Sequence, residues 1–259
     1  MPYRKLIAAE TLSITPQDMA KTLQEPYGPA DLIKDELRTL IRRAEFPGGL
    51  PTIVKTYRHR SAYDFCRESL TRFRAQREFE ALSFLFDRRI PCSRPVGWGY
   101  GSDRESGRFE TLVTVEEPDV IGLKDHLRSG TSDGSWIEPV AELVRRAHEA
   151  GFYHGALAPR NILVRFGQQG SSCFFIDTPK SLVFRRPVTG TRMAIHDLLV
   201  FLCEVNNVAG DTPVGRFLVL YGMGPSDIPR MVSRVKRYRA GRNTRNRMRA
   251  EFLLRRLVS

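Results

Sequence analysis

The sequence predicts an α+β chain in two lobes, a small β-rich N-terminal lobe and a mainly helical C-terminal one. Three observations carry this. Short β-branched runs bounded by glycine and proline crowd the first half. Helical periodicity dominates the second. Pro118 and Gly122 interrupt the pattern between the two. The expected lobes are residues 1–117 and 118–259, together making one domain. A chain of 259 residues, 41% apolar and 27% charged, can bury a full core.

Residues 1–30 show no clear pattern. Asp35–Phe46 reads as a strand of imperfect alternation, Pro47-Gly48-Gly49 as a turn, and Leu50–Tyr57 as a second strand. Together they form a hairpin with Lys55 near its end. Ser61–Arg89 is helix-rich, and Phe79, Leu82 and Leu85 define one apolar face. Pro91, Pro95 and Gly97 end that region. The loop Gly101–Gly107 leads into a strand at Phe109–Val115, a second hairpin. A helix spans Trp136–Ala150, with Ile137, Val140, Val144 and Ala147 on one side. Asn161–Phe166 and Cys173–Ile176 are short apolar strands around a polar turn, Gly167–Ser172. Met193–Val205 is an apolar helix carrying His196 and Asp197, and a basic helical tail follows.

The chemistry concentrates in Tyr153–Val164, YHGALAPRNILV, and Cys173–Pro179, CFFIDTP. His154, Leu157, Asn161 and Asp177 have the spacing of a phosphoryl-transfer catalytic loop followed by a metal-binding strand. The position of the general base holds Ala156. Phosphoryl transfer asks the protein mainly to position nucleotide and neutralise charge. Lys55 in IVKTY matches the strand lysine that grips phosphates. Glu78 in QREFEAL matches the helix glutamate that orients it, with Glu80 the second choice. Glu116 and Glu117 lie where an adenine-binding hinge is expected, with the backbone doing the binding. Asp177 ends an apolar strand, a costly place for a carboxylate unless its charge is compensated. A magnesium ion bridging ATP phosphates, held by Asn161 and Asp177, would compensate it.

Plainer readings compete at each position. A lysine in a half-exposed strand is common, most helical glutamates are solvated, and Asp177 could simply cap a turn. His154 reads as structural within the loop. Asp197 either braces that loop by hydrogen bonds or lies on the surface. No GxGxxG precedes the first strand pair; the nearby glycine is Gly28 in EPYGPAD.

No apolar run approaches the ~18 residues that cross a bilayer, and the N-terminus has no signal-peptide pattern. Cys66, Cys173 and Cys203 sit among apolar neighbours and read as buried thiols; with Cys92 they show no metal or disulfide spacing. A reducing cytoplasm fits. The net charge of +12 is uneven: Arg230–Arg256 holds eleven basic residues and one acid, a net +10. Such a stripe attracts an anionic membrane surface, a phosphorylated glycolipid or nucleic acid, or is a solvated helix face. No nucleic-acid motif accompanies it, so nucleic acid is the least favoured of these partners.

Three segments carry a resemblance: IVKTYRH at 53–59, RAQREFEALSFLFDRRIPCSRPVGWG at 74–99, and HEAGFYHGALAPRNILVRF with CFFIDTPKS at 148–180. They resemble the lipopolysaccharide core kinases of Gram-negative bacteria (Kdo kinase, heptose kinase and InaA-like proteins), which have a protein-kinase-like fold. The likeness spans roughly residues 35–205. It implies ATP and Mg²⁺ as cofactors and a sugar hydroxyl of the lipopolysaccharide core as acceptor. It also implies a cytoplasmic place, peripheral on the inner membrane, and a partner enzyme of lipopolysaccharide assembly. Two departures stand out. Ala156 replaces the base, and Thr178-Pro179 follows Asp177 where the family has Phe and Asp. Both imply a pseudokinase or weakened kinase. The alternatives are an active Kdo or heptose kinase, and an anionic-surface or nucleic-acid binding module on a vestigial kinase fold.

Overall fold

A computed structural model describes residues 3–9, 12–103, 107–130, 133–168 and 170–238. They form two compact units: residues up to 87 with 92–118, and residues 88–91 with 119 onward.

The first unit is built on one antiparallel sheet. Its strands are β1 (Tyr3–Ala8), β2 (Leu32–Glu36), β3 (Thr39–Phe46), β4 (Leu50–Arg58), β5 (Pro95–Asp103) and β6 (Gly107–Val115), in the order β1-β5-β6-β4-β3-β2. Helix α1 (Pro16–Gln24) precedes β2, and α2 (Ala62–Leu70) and α3 (Arg74–Asp87) follow β4. The β3–β4 turn has Pro47 second and Gly48 third with φ 83°, the residue order of a type II turn. Met19, Phe46, Val54, Val96 and Val113 form a core cluster. Gly97 lets β1 and α1 close on β5, because a Cβ there would lie 2.5 Å from both the Ile7 carbonyl and the Met19 sulfur. The buried stripe of α3 is Ala75, Glu78, Ala81, Leu82 and Leu85.

The second unit contains a short strand β7 (Ile121–Gly122) and helices α4 (Leu123–Arg128) and α5 (Ile137–Glu149). Strands β8 (Phe152–Tyr153), β9 (Ile162–Gly167), β10 (Gly170–Phe175) and β11 (Leu182–Val183) come next, followed by helices α6 (Arg192–Ala209), α7 (Asp211–Leu220) and α8 (Ile228–Arg237). β7, β9 and β10 form one small sheet, and β8 pairs with β11. α5 buries Ile137, Val140, Leu143, Val144 and Ala147. Each fully buried Val or Leu contributes about 1.5–3 kcal/mol. The segment Arg88–Pro91 joins this unit: the Phe175 N–H donates to the Pro91 carbonyl at 3.1 Å, and Arg146 to the Arg89 carbonyl at 2.6 Å.

Several expectations are corrected. Asp35–Phe46 is two strands, β2 and β3, joined by a tight turn at Leu37-Arg38. That turn contains neither glycine nor proline, so nothing punctuates the run. The patternless residues 1–30 contain β1 and α1. Thr15 and Asp18 make a reciprocal capping box at the start of α1, a signal present in TPQD. The polar turn at 167–172 is shorter than expected, because Gly170, Ser171 and Ser172 stay in the β9–β10 ladder. Cys66 is exposed, not buried, because α2 buries none of its residues; Cys203 is intermediate and Cys173 buried. The basic tail is helical from Ile228 to Arg237; residues 239–259 lie outside the described residues.

Candidate functional site

In the first unit, strand β4 turns Lys55 and Tyr57 to one face, since alternate residues share a side. Helix α3 presents Glu78 to them from its buried stripe. Lys55 Nζ lies 3.2 Å from Glu78 Oε1, and the Tyr57 hydroxyl donates to Glu78 Oε2 at 2.6 Å. The Glu78 side chain is 2% exposed and Lys55 15%. A carboxylate so deeply buried needs its charge compensated, and the ammonium and hydroxyl both do so. Tyr57 is held in turn by the Arg74 guanidinium, 4.1 Å over its ring. Glu80, the second choice, pairs instead with Arg72 on the surface.

Glu116 and Glu117 make contacts of their own in this unit. Glu116 binds Arg43 Nε at 2.7 Å, and its backbone N–H donates to the Pro51 carbonyl at 2.9 Å. That N–H is therefore engaged within the sheet and not open to a base. Glu117 is half-buried. Its charge, after burial, helps push the Cys92 thiol up to about 12. In protein kinases a glycine-rich loop covers the phosphates between the two strands that precede the lysine strand. Those strands here are β2 and β3, so the corresponding loop is the turn at Leu37-Arg38, with no glycine. Gly28 lies before β2, where its N–H donates to Asp31 at 2.9 Å.

In the second unit, the loop after β8 is fixed from below by Asp197 on α6. Asp197 is fully buried. Its carboxylate accepts the His154 N–H at 2.7 Å and the Gly155 N–H at 3.0 Å, and lies 3.5 Å from His148 Nε2. His148 Nδ1 meets the Tyr221 hydroxyl at 2.8 Å. The His154 ring stands edge-on to Phe175, and burial holds its pKa below the ordinary value, against the upward pull of Asp197 and Asp177. Gly155 has φ 72°, and a Cβ there would lie 2.4 Å from the Lys180 carbonyl oxygen, so the loop is pressed against the segment after Asp177.

Asn161 ends a single 3₁₀ turn and is buried. Its Nδ2 donates to the Ala156 carbonyl at 2.8 Å. That bond commits the amide's donor end and leaves Oδ1 as the oxygen suited to a cation. Asp177 is half-buried and left-handed, at φ 55°. Aspartate tolerates that region better than most residues, but such backbone strain persists where the surroundings enforce it. Thr178 is fully buried, and its carbonyl accepts both the Ser181 N–H (3.1 Å) and hydroxyl (2.7 Å). An amide oxygen and a carboxylate are each the kind of oxygen that a hard cation takes. Among the described residues no group of three His, Cys, Asp or Glu could hold a metal by itself.

Sequence reasoning missed Tyr57. The Lys-x-Tyr spacing on a strand was the available signal, since it puts both side chains on one face.

The sequence model of the lipopolysaccharide kinase (Kdo/WaaP) family matches residues 50–207. The solved structure of WaaP in complex with acyl carrier protein is similar at a TM-score of 0.62 and 17% identity, covering 90% of this chain and 97% of that one. The ADP/Mg²⁺-phosphoaspartate complex of the Rio2 kinase from Chaetomium thermophilum is similar at 0.51 and 16% identity, covering 85% and 73%. A Stt7 homolog from Micromonas algae soaked with ATP gives 0.50 at 13% identity, covering 74% and 75%. At such identities the structural likeness is one of fold, and that fold is protein-kinase-like. No curated protein matches the sequence. The chain belongs to the lipopolysaccharide kinase (Kdo/WaaP) family and is a lipopolysaccharide-kinase-like protein.

Proposed function

We propose that this protein binds Mg·ATP but has lost phosphotransfer, or keeps it only weakly, and that it acts in assembly of the lipopolysaccharide core. The observation that carries this is the buried Lys55–Glu78 pair, kept at 3.2 Å while residue 156 is an alanine. In this reading Lys55 meets the α- and β-phosphates and Glu78 holds Lys55. Asn161 and Asp177 hold Mg²⁺, which needs only one or two protein carboxylates when phosphates supply further oxygens. The bound ion would supply neutralisation of phosphate charge.

The Ala156 methyl cannot accept a proton, and loss of a general base costs about 10²–10⁴ in rate. Asp197 touches the same loop but does not replace the base. It is fully buried, with both oxygens accepting backbone N–H groups. The turn at Leu37-Arg38 has no glycine, so a glycine-rich phosphate loop is lacking there.

The second reading is an active kinase that phosphorylates a Kdo or heptose hydroxyl. It is favoured by the presence of Lys55, Glu78, Asn161 and Asp177 together, since a loose transition state asks mostly for positioning and charge.

Either reading goes with docking on an anionic glycolipid or on the cytoplasmic face of the inner membrane. A groove of about 630 Å³ lined by Arg192, Arg234 and Arg237 over Ile195 and Leu199 supports this. No helix among the described residues is long and apolar enough to cross a membrane. The complex of WaaP with acyl carrier protein supports a protein partner in the same process.

Calorimetry with Mg·ATP tests the proposal, with Lys55→Ala and Asp177→Ala as controls. Binding by the wild type that both substitutions weaken is expected; no binding by the wild type overturns it. Ala156→Asp separates the readings. A gain of transfer to a lipopolysaccharide core acceptor supports the lost base, whereas robust wild-type transfer that the substitution leaves unchanged establishes the active kinase.

A further inference from the structure

We infer that Glu110 is a positioning residue for the Lys55–Glu78 pair: it locks the first turn of α3 to the sheet and so fixes Glu78 before any nucleotide arrives. The inference rests on the reading above, in which Lys55 grips phosphates.

Glu110 lies on β6 and is 1% exposed. It is a buried carboxylate in a strand whose following residues, Thr111, Leu112 and Val113, are buried too. Its Oε2 accepts the Ala75 N–H at 2.6 Å. Ala75 is the second residue of α3, so its N–H has no acceptor within the helix. The positive end of the helix dipole favours a carboxylate there. Glu110 Oε1 is 3.2 Å from His59 Nε2, and that side chain is 7% exposed. Phe65 and Phe73 pack edge-on against the His59 ring.

Ala75 and Glu78 are one helical turn apart on the buried stripe of α3. The chain of contacts therefore runs from β6 through Glu110 to Ala75, along one turn to Glu78, and on to Lys55 and Tyr57 of β4. Moving α3 away would strip a buried carboxylate of its donor, a strongly unfavourable change. In this chain α3 is a fixed brace for Lys55 and not a helix that swings.

Glu110→Gln keeps the shape and one acceptor oxygen but removes the charge; Glu110→Ala removes both. The first readout is hydrogen exchange at the amides of 75–78 in nucleotide-free protein. Faster exchange is expected, more in the alanine variant than in the glutamine one, and unchanged exchange overturns the inference. The second readout compares Mg·ADP with adenosine by calorimetry. Adenosine has no phosphate for Lys55 to grip. Mg·ADP is expected to weaken about 5-fold or more while adenosine holds; equal losses for both overturn a positioning role. A wild type that binds neither ligand overturns the nucleotide reading, while the exchange data still decide what Glu110 does. The isosteric glutamine variant keeps the test decisive if the alanine variant fails to fold.

Discussion

Asp197→Ala is expected to be among the most damaging single changes in the second unit. The carboxylate is fully buried and accepts two backbone N–H groups, at 2.7 and 3.0 Å. A hydrogen bond to a charged group is worth about 1.5–3 kcal/mol. The pair therefore bounds the loss at about 3–6 kcal/mol by the same scale. Water entering the space of the lost side chain recovers part of this, so the expected loss is about 3–4 kcal/mol. Trp136 lies buried in the second unit and Trp98 in the first. Urea unfolding followed by Trp136 fluorescence in a Trp98→Phe background reads the second unit alone. With a slope of about 2 kcal/mol per molar, the midpoint should fall by roughly 1.5–2 M. The control is Glu204→Ala on the same helix. It breaks the surface pair with Arg160, whose side chains are 45% and 32% exposed, and should change stability by less than about 1 kcal/mol. A midpoint shift for Asp197→Ala no larger than the control's would refute the claim that this carboxylate holds the loop.

Two further changes probe the same loop. Gly155→Ala places a Cβ against the Lys180 carbonyl at a left-handed φ. It should cost about 1–3 kcal/mol from backbone strain alone, and wild-type thermal stability in this variant would contradict the close approach. The third prediction concerns pH. His154 has a folded pKa below its ordinary 6.5, chiefly through burial. Its contribution to stability is therefore fully present above pH 6.5 and is lost as pH falls from there toward the folded value. The wild-type melting temperature should drop through that window, and His154→Leu should flatten the slope. Parallel curves for the two proteins would exclude His154 as the source.

The loop after β8 was legible as a distinct segment because most of its residues lie in one contiguous stretch. His154, Asn161 and Asp177 are ordered by chain spacing alone, and α6 carries Asp197 on a recognisable apolar helix. What stayed hidden was fixed by partners far away in sequence. Tyr57 and Glu78 are 21 residues apart, and Glu110 and Ala75 are 35 apart. Beyond the Lys-x-Tyr spacing on β4, no local pattern announces that these groups meet. Glu78 was legible as the partner of Lys55 from the kinase-like pattern, but its burial was not, although it falls in register with Ala75, Leu82 and Leu85 on the buried stripe. The turn at Leu37-Arg38 escaped because turn recognition relies on glycine and proline. The capping box of α1 was readable from Thr15 and Asp18.

In the second unit the path of the loop at residue 156 is set without its side chain. Residue 156 is held through its backbone: Asn161 Nδ2 donates to the Ala156 carbonyl. The loop's path is set on either side, by Asp197 holding the N–H groups of His154 and Gly155 and by the close packing of Gly155 on Lys180. None of these contacts depends on the side chain at 156, which is itself only half-buried. Chemistry and architecture are thus separable at this position. Ala156→Asp is expected to leave these backbone contacts in place. For that reason the Ala156→Asp experiment reads catalysis and not folding, and it can tell a kinase that has lost its base from one that never needed it.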